Sequence, residues 1–131
     1  MFNELRSFNT SKSHWTLLSP DYSTPVATRG ATPSPRSAHS LIAYRDKVVL
    51  FGGSGAFIRE IGLRMSFNDL WIWDTKCTDK NKGWKQIVDK GEMPRKRMQH
   101  ASACFGAIMI VMGGFSTEAK TVLDDFNLFD C

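Results

Sequence analysis

Short apolar runs separated by turn-forming residues alternate along the chain, and no stretch sustains the 3.6-residue period of an amphipathic helix. Lys47-Val-Val-Leu-Phe51 and Ala107-Ile-Met-Ile-Val-Met112 are continuous apolar runs, which predicts strands buried on both faces. Each follows a shorter segment, Ser40-Leu-Ile-Ala-Tyr44 or Ala101-Ser-Ala-Cys-Phe105. Arg45-Asp46 and Gly106 lie between the members of each pair, so both pairs read as tight hairpins. Leu70-Trp-Ile-Trp73 and Phe126-Asn-Leu-Phe129 carry aromatics at or near alternate positions. Trp15-Thr-Leu-Leu18 and Trp84-Lys-Gln-Ile-Val88 complete the set. The expected fold is all-β.

The chain also repeats itself. Gly30-Ala-Thr-Pro33-Ser-Pro-Arg36-Ser-Ala-His39 matches Gly91-Glu-Met-Pro94-Arg-Lys-Arg97-Met-Gln-His100 at an offset of 61. The same offset carries Gly52-Gly53 onto Gly113-Gly114, each pair 13 residues past its histidine. Asn68-Asp-Leu-Trp-Ile-Trp-Asp74 pairs with Asp124-Asp-Phe-Asn-Leu-Phe-Asp130 at an offset of 56, and Trp15 with Trp84 at 69. Four landmarks recurring in order, with length differences absorbed between them, mark a structural repeat.

The succession Pro-x-x-Arg-x-x-His, an apolar strand, Gly-Gly, Asn-Asp-Leu-Trp-x-x-Asp and Trp resembles the kelch repeat, over residues 15 to 131. The resemblance implies that each repeat is a four-stranded antiparallel blade of a β-propeller. With the strands of a blade labelled a to d, the expected order is d near Trp15, then a-b-c-d over 37 to 88, then a-b-c over 98 to 130. The expected organisation is an N-terminal extension (1–14), a lone outer strand and loop (15–29), a first repeat (30–90) and an incomplete second repeat (91–131). Two blades cannot close a ring. The chain is therefore expected to be part of a longer propeller, with a trimer that trades the lone N-terminal strand as the alternative.

Within this reading Pro33, Arg36, His39, Gly52, Gly53, Asp69, Trp71, Trp84, Pro94, Arg97, His100, Gly113 and Gly114 are structural motif residues. The Gly-Gly pair is expected to end the second strand where the backbone turns and a neighbouring aromatic packs against it. The aromatics Trp71, Trp73, Trp84, Phe126 and Phe129 are expected to fill the gaps between blades. Arg36, His39, Arg97 and His100 are read as polar groups satisfied at strand starts, and Asp69, Asp74, Asp125 and Asp130 as turn-fixing residues. The first repeat carries a long loop from Ser54 to Phe67. Propeller loops make contacts, so Phe57, Arg59 and Arg64, with Lys80 and Lys82 on a second loop, are the candidate partner-binding residues.

Composition narrows the function. Hydrophobic residues make up 42% and charged residues 23%, which excludes a disordered tail, and no apolar run of 18 residues predicts a membrane-spanning helix. The N-terminus shows no secretory or transit pattern, so the expected compartment is the cytoplasm, with the cytoskeletal or ciliary setting common to kelch scaffolds. Cys77, Cys104 and Cys131 match neither a zinc site nor a redox CxxC, and free thiols are expected. Lys76 to Arg97 holds eight basic residues against three acidic ones. That stretch would suit nucleic acid, but it lacks interleaved stacking aromatics and reads as solvated loop. Every recurring polar residue belongs to the repeat, leaving none for catalysis. The resemblance thus implies a non-enzymatic protein-interaction module with no cofactor, no metal and a protein partner. The alternative is a propeller enzyme resembling galactose oxidase or sugar-modifying kelch proteins, its site on blades outside this sequence.

Overall fold

The computed structural model describes residues 3–20, 30–79, 82–88 and 91–131. The described residues form eleven strands and no helix. β3 (Ser40–Tyr44), β4 (Lys47–Ile58), β5 (Leu63–Asp74) and β6 (Trp84–Ile87) make one antiparallel four-stranded sheet in that order. β7 (Ala101–Phe105), β8 (Ile108–Met112) and β11 (Phe126–Asp130) make a three-stranded sheet that repeats β3, β4 and β5. Both a–b hairpins turn on two residues, with Tyr44 opposite Lys47 and Phe105 opposite Ile108. Arg45 and Gly106 adopt positive φ there, as such turns require.

The apolar run of β4 lies covered on both faces, whereas β8, expected to be buried on both, buries only Met109 and Val111 and leaves Ile108 and Met112 exposed on its other face. Val49, Phe51 and Leu70 of the first blade meet Met109 and Val111 of the second, and Ile42, Ile72, Ile87 and Phe129 close the cluster's edges. On the opposite face of the first blade, Leu50, Trp71, Trp73 and Trp84 pack against Leu5 and Leu18. Trp73 and Trp84 meet edge to face, with ring centroids 5.6 Å apart. Each such side chain removed from water contributes about 1.5–3 kcal/mol, so the blade seams hold most of the apolar driving force.

Three further expectations change. The strand at Trp15, β2 (His14–Ser19), is not alone: β1 (Leu5–Asn9), inside the segment read as an extension, pairs with it antiparallel. The pair Phe8–Trp15 occupies the position of Trp73–Trp84, and Ser7–Thr16 that of Ile72–Lys85. The hairpin is therefore a c–d pair, and the missed signal is Asn3-Glu-Leu-x-x-Phe-Asn-Thr10 against Asn68-Asp-Leu-x-x-Trp-Asp-Thr75, at an offset of 65. This removes the basis of the trimer: a neighbour's N-terminus would bring two strands to an a-b-c sheet, making five where a blade has four.

Second, the Gly-Gly pair does not end strand b of the first blade. β4 runs through Gly52-Gly53 with a register shift and continues to Ile58. Third, the segment from Ser54 to Phe67 is consequently not a loop. It is a hairpin extension of β4 and β5 in which Phe57 faces Arg64 and Ile58 faces Leu63. The second blade has only a stub of this extension, β9 (Phe115–Ser116) with β10 (Thr121–Val122).

Candidate functional site

Each complete motif builds the same clasp. Ahead of strand a, Arg36 sends Nη1 to Asp69 Oδ1 at 2.6 Å and Nη2 to Oδ2 at 2.8 Å, a fork that matches the carboxylate. Its other donors reach the carbonyls of Gly52 (3.0 Å) and Ser34 (3.1 Å), and its guanidinium lies 4.2 Å from the centroid of the Phe67 ring. Arg97 repeats this with Asp125 (2.6 and 2.6 Å) and the carbonyls of Gly113 (3.0 Å) and Arg95 (3.1 Å). The Arg97 side chain is 0% exposed, whereas that of Asp125 is 42% exposed. Asp69 and Asp125 are thus ion-pair partners rather than turn-fixing residues. Asp74 does fix a turn, accepting a hydrogen bond from the Lys76 amide at 2.9 Å. Burial would raise the Asp69 carboxyl, but the hydrogen bonds from Arg36 and Trp71 outweigh it and hold it below its ordinary value. Arg97 holds Asp125 down at about 2. Trp71 Nε1 also donates to Asp69 Oδ2 at 2.6 Å, and in the second blade Asn127 Nδ2 takes over that role at 3.1 Å.

The glycine pair lets strand a approach closely. Gly53 and Gly114 have φ of +100° and +96°, and a Cβ at either would lie 2.7–2.8 Å from a backbone carbonyl, that of Ser37 or Met98. What crowds these glycines is therefore backbone and the histidines His39 and His100, not a large aromatic. The second motif also stitches the two blades together. Gly53 N donates to Arg97 O (2.9 Å), Arg97 N to Phe67 O (3.0 Å) and Gln99 N to Ala38 O (3.0 Å). His100 crosses the same seam, meeting Ser40 Oγ at 2.9 Å and the edge of Phe51. Pro94, half-buried, accepts Asn68 Nδ2 at 3.0 Å, and Pro33 is buried.

His100 Nδ1 is buried without a hydrogen-bond partner. Burial first, then Arg97 and His39, push its pKa down to about 4. A group held below its unfolded value near 6.5 favours the folded state above that pH and loses the contribution as pH falls through 4. The melting temperature should therefore drop between pH 6.5 and 4, and His100→Gln should flatten that drop. Thermal melts at half-unit pH steps read this, and an equal slope in the wild-type and His100→Gln proteins would refute it.

The candidate binding residues separate into two groups. Phe57, Arg59 and Arg64 stand exposed on the β4–β5 extension, at the end of the blade where strands b and c connect. Arg64 Nη1 donates to Gly55 O at 3.2 Å, tying the two arms together. Ser66 and Thr117, 2.6 Å apart and buried, fasten the base of the extension to the second blade. Lys82 lies on the c–d connection at the other end of β5, where it pairs with Asp79. Lys80 falls outside the described residues. The basic stretch also loses its apparent uniformity, because Lys76 pairs with Asp46, Lys96 with Glu118 and Arg97 with Asp125. Ile61 and Met65, which sequence reasoning passed over, join Phe57 as exposed apolar side chains of the extension. A crevice of about 110 Å³ under Met93 and Pro94 belongs to the seam between blades, where it is lined by Ile87 and Phe129. Among the described residues no group of three or more His, Cys, Asp or Glu is placed to hold a metal ion.

A four-stranded antiparallel sheet packed against a three-stranded sheet that repeats its a-b-c strands defines part of a β-propeller. The KLHDC2/KLHL20/DRC7 Kelch-repeats domain matches residues 1–131. The chain belongs to the kelch-repeat family. It is 31% identical to human Kelch domain-containing protein 3 over 129 residues, covering 98% of this chain and 29% of that protein. It is 36% identical over 92 residues to the dynein alpha chain of the flagellar outer arm of Chlamydomonas reinhardtii, covering 70% of this chain and 2% of that protein. Human Host cell factor 2 is 31% identical over 100 residues, or 72% of this chain and 11% of that protein. The chain thus spans less than a third of the length of these curated relatives.

Proposed function

We propose that this chain is part of a non-enzymatic interaction propeller that holds a protein partner through the Ser54–Ser66 extension. The observation that carries the reading is the contrast between equivalent connections. The second blade joins strands b and c through a two-residue ladder, whereas the first projects a paired arm bearing exposed Phe57, Ile61 and Met65 with Arg59 and Arg64. A hairpin needs no exposed apolar side chains to span that gap. Aromatic and arginine side chains are the types that dominate protein interfaces. The hydrogen bonds inside the arm and the Ser66–Thr117 contact limit the entropy lost on binding. A cytoplasmic, cytoskeletal or ciliary setting suits this reading and is supported by the resemblance to a flagellar dynein chain.

The test is partner recovery by the full-length protein from its source cells. Replacing residues 55–65 with a two-residue turn, or introducing Phe57→Ala with Ile61→Ser, should reduce recovery of the wild-type partner roughly tenfold or more, as loss of an interface hot spot does. Lys82→Ala should leave recovery unchanged. Equal recovery by the trimmed protein would place the interface elsewhere.

A further inference from the structure

The Ser54–Ser66 extension outruns the sheet that carries it. β3 pairs with β4 only over Lys47–Phe51, and β6 pairs with β5 only over Leu70–Trp73. The bridges Ser37–Ser54 and Phe67–Arg97 carry each flank a step further. Beyond them, among the described residues, neither outer edge of the extension has a strand beside it. Each edge therefore turns alternate backbone N–H and C=O groups outward, the feature that templates pairing with another strand.

The two edges are not equivalent. β4 spends three residues between Ser54 and Phe57 where β5 spends two between Ser66 and Arg64, so the bulge lies on β4. A bulge twists its edge and breaks the spacing that an added strand must match. β5 has no extra residue there, and Leu63-Arg-Met-Ser66 contains neither proline nor lysine, the residues that commonly guard an edge. Charge also favours the β5 side. Just past its free edge, a depression beside Asn68 is lined by Arg95, Lys96 and Glu118. Lys96 and Glu118 pair with each other at 2.6 Å. Among the described residues Arg59, Arg64 and Arg95 meet no carboxylate, and Glu60 is the one acid of the extension.

We infer that the outer edge of β5 over Leu63–Ser66 takes an extended, acid-bearing segment of the partner as an added strand, its carboxylates set against Arg64 and Arg95. This rests on the reading that the extension holds the partner, and it states how. Main-chain hydrogen bonds supply affinity, while the arginines and exposed Met65 select among segments. The Ser66–Thr117 contact holds the base of this edge in place before the segment arrives. A second copy of this chain suits the edge poorly, because it would bring the same arginines to a site already short of acid.

The probe is a displayed library of short random peptides selected on the full-length protein. Selected sequences should alternate acidic and apolar residues. Single N-methylation along the tightest peptide should weaken binding roughly tenfold at every second amide and little between, because a strand gives only alternate amides to its neighbour. Arg64→Glu should weaken binding roughly tenfold, and Lys82→Glu should leave it unchanged. In hydrogen exchange the bound peptide should slow amides within Leu63–Ser66 and spare those of Ala56 and Phe57. A selection returning no peptide whose binding is lost on trimming residues 55–65 would overturn the inference. So would an N-methyl scan without alternation, slowed exchange on the β4 side, or slowing of Leu63–Ser66 that needs only higher protein concentration. Partner recovery by the trimmed protein reads the wider proposal separately: recovery that falls on Phe57→Ala, beside a scan without alternation, overturns the added strand alone.

Discussion

Asp69→Ala should cost the full-length protein about 4 kcal/mol, a large share of the 5–15 kcal/mol that holds a typical domain together. The reason lies in which partner is buried. Arg36 has a side chain only 3% exposed, so removing the carboxylate leaves a guanidinium away from water with no countercharge. The same change strips Trp71 Nε1 of its acceptor. Loss of one partner of a buried ion pair costs about 3–5 kcal/mol, and orphaning a buried donor adds to it. Asp69→Asn, which keeps one acceptor oxygen, should cost about half as much. Lys96→Ala breaks a pair of the same 2.6 Å length, to Glu118, but both members are exposed, and its cost should stay below about 1 kcal/mol. Urea midpoints of the three variants separate these cases. Near-equal losses for Asp69→Ala and Lys96→Ala would mean that the clasp is not the buried element described here.

Gly114→Ala should be nearly as damaging, about 3 kcal/mol or more. A methyl there sits 2.7 Å from Met98 O and 2.9 Å from His100 Cβ, at a φ of +96° that side chains avoid. Met98 and Phe115 exchange both backbone hydrogen bonds at this point, so the methyl can be housed only by parting strand a from the start of β9. Gly113→Ala meets nothing closer than Leu123 O at 3.2 Å, and Gly106→Ala meets nothing within 4 Å. Both have φ near +60°, so each should cost about 1–2 kcal/mol from backbone conformation alone. The order Gly114 far above Gly113 and Gly106 is what thermal melts should return. A flat series would show that the close approach of strand a is not rigid.

Much of the architecture was legible because the seams impose it on the residues. Val48 to Phe51 had to be apolar throughout because that strand is covered on both faces, whereas of Ile108 to Met112 the seam demands only Met109 and Val111. The recurrence of Pro-x-x-Arg-x-x-His at a fixed offset gave the repeat. The clasps were not legible. Arg36 and Asp69 lie 33 residues apart, and no local pattern reveals that one receives the other. Strand β1 was hidden by its substitutions: Glu4 for aspartate, Arg6 for Trp71 and Phe8 for Trp73 weaken the aromatic signal while leaving Asn3, Leu5 and Thr10 in register. The Ser54–Ser66 extension looked like a loop because glycines and a register shift interrupt the alternation of strand b before pairing resumes at Phe57.

The candidate binding residues illustrate a further limit of one-dimensional reading. Phe57 and Lys82 are separated by the length of β5 and face opposite ends of the blade, so no single partner contact of ordinary size is expected to need both. A contact at one end leaves the other untouched, and this separates the proposed extension from the c–d connection experimentally.

The most direct test places the photo-crosslinking residue benzoylphenylalanine at Phe57, Ile61 or Lys82 of the full-length protein in its source cells. Covalent capture of the same protein partner from positions 57 and 61, and none from 82, is the predicted result. Capture from position 82 with none from the extension would contradict the account.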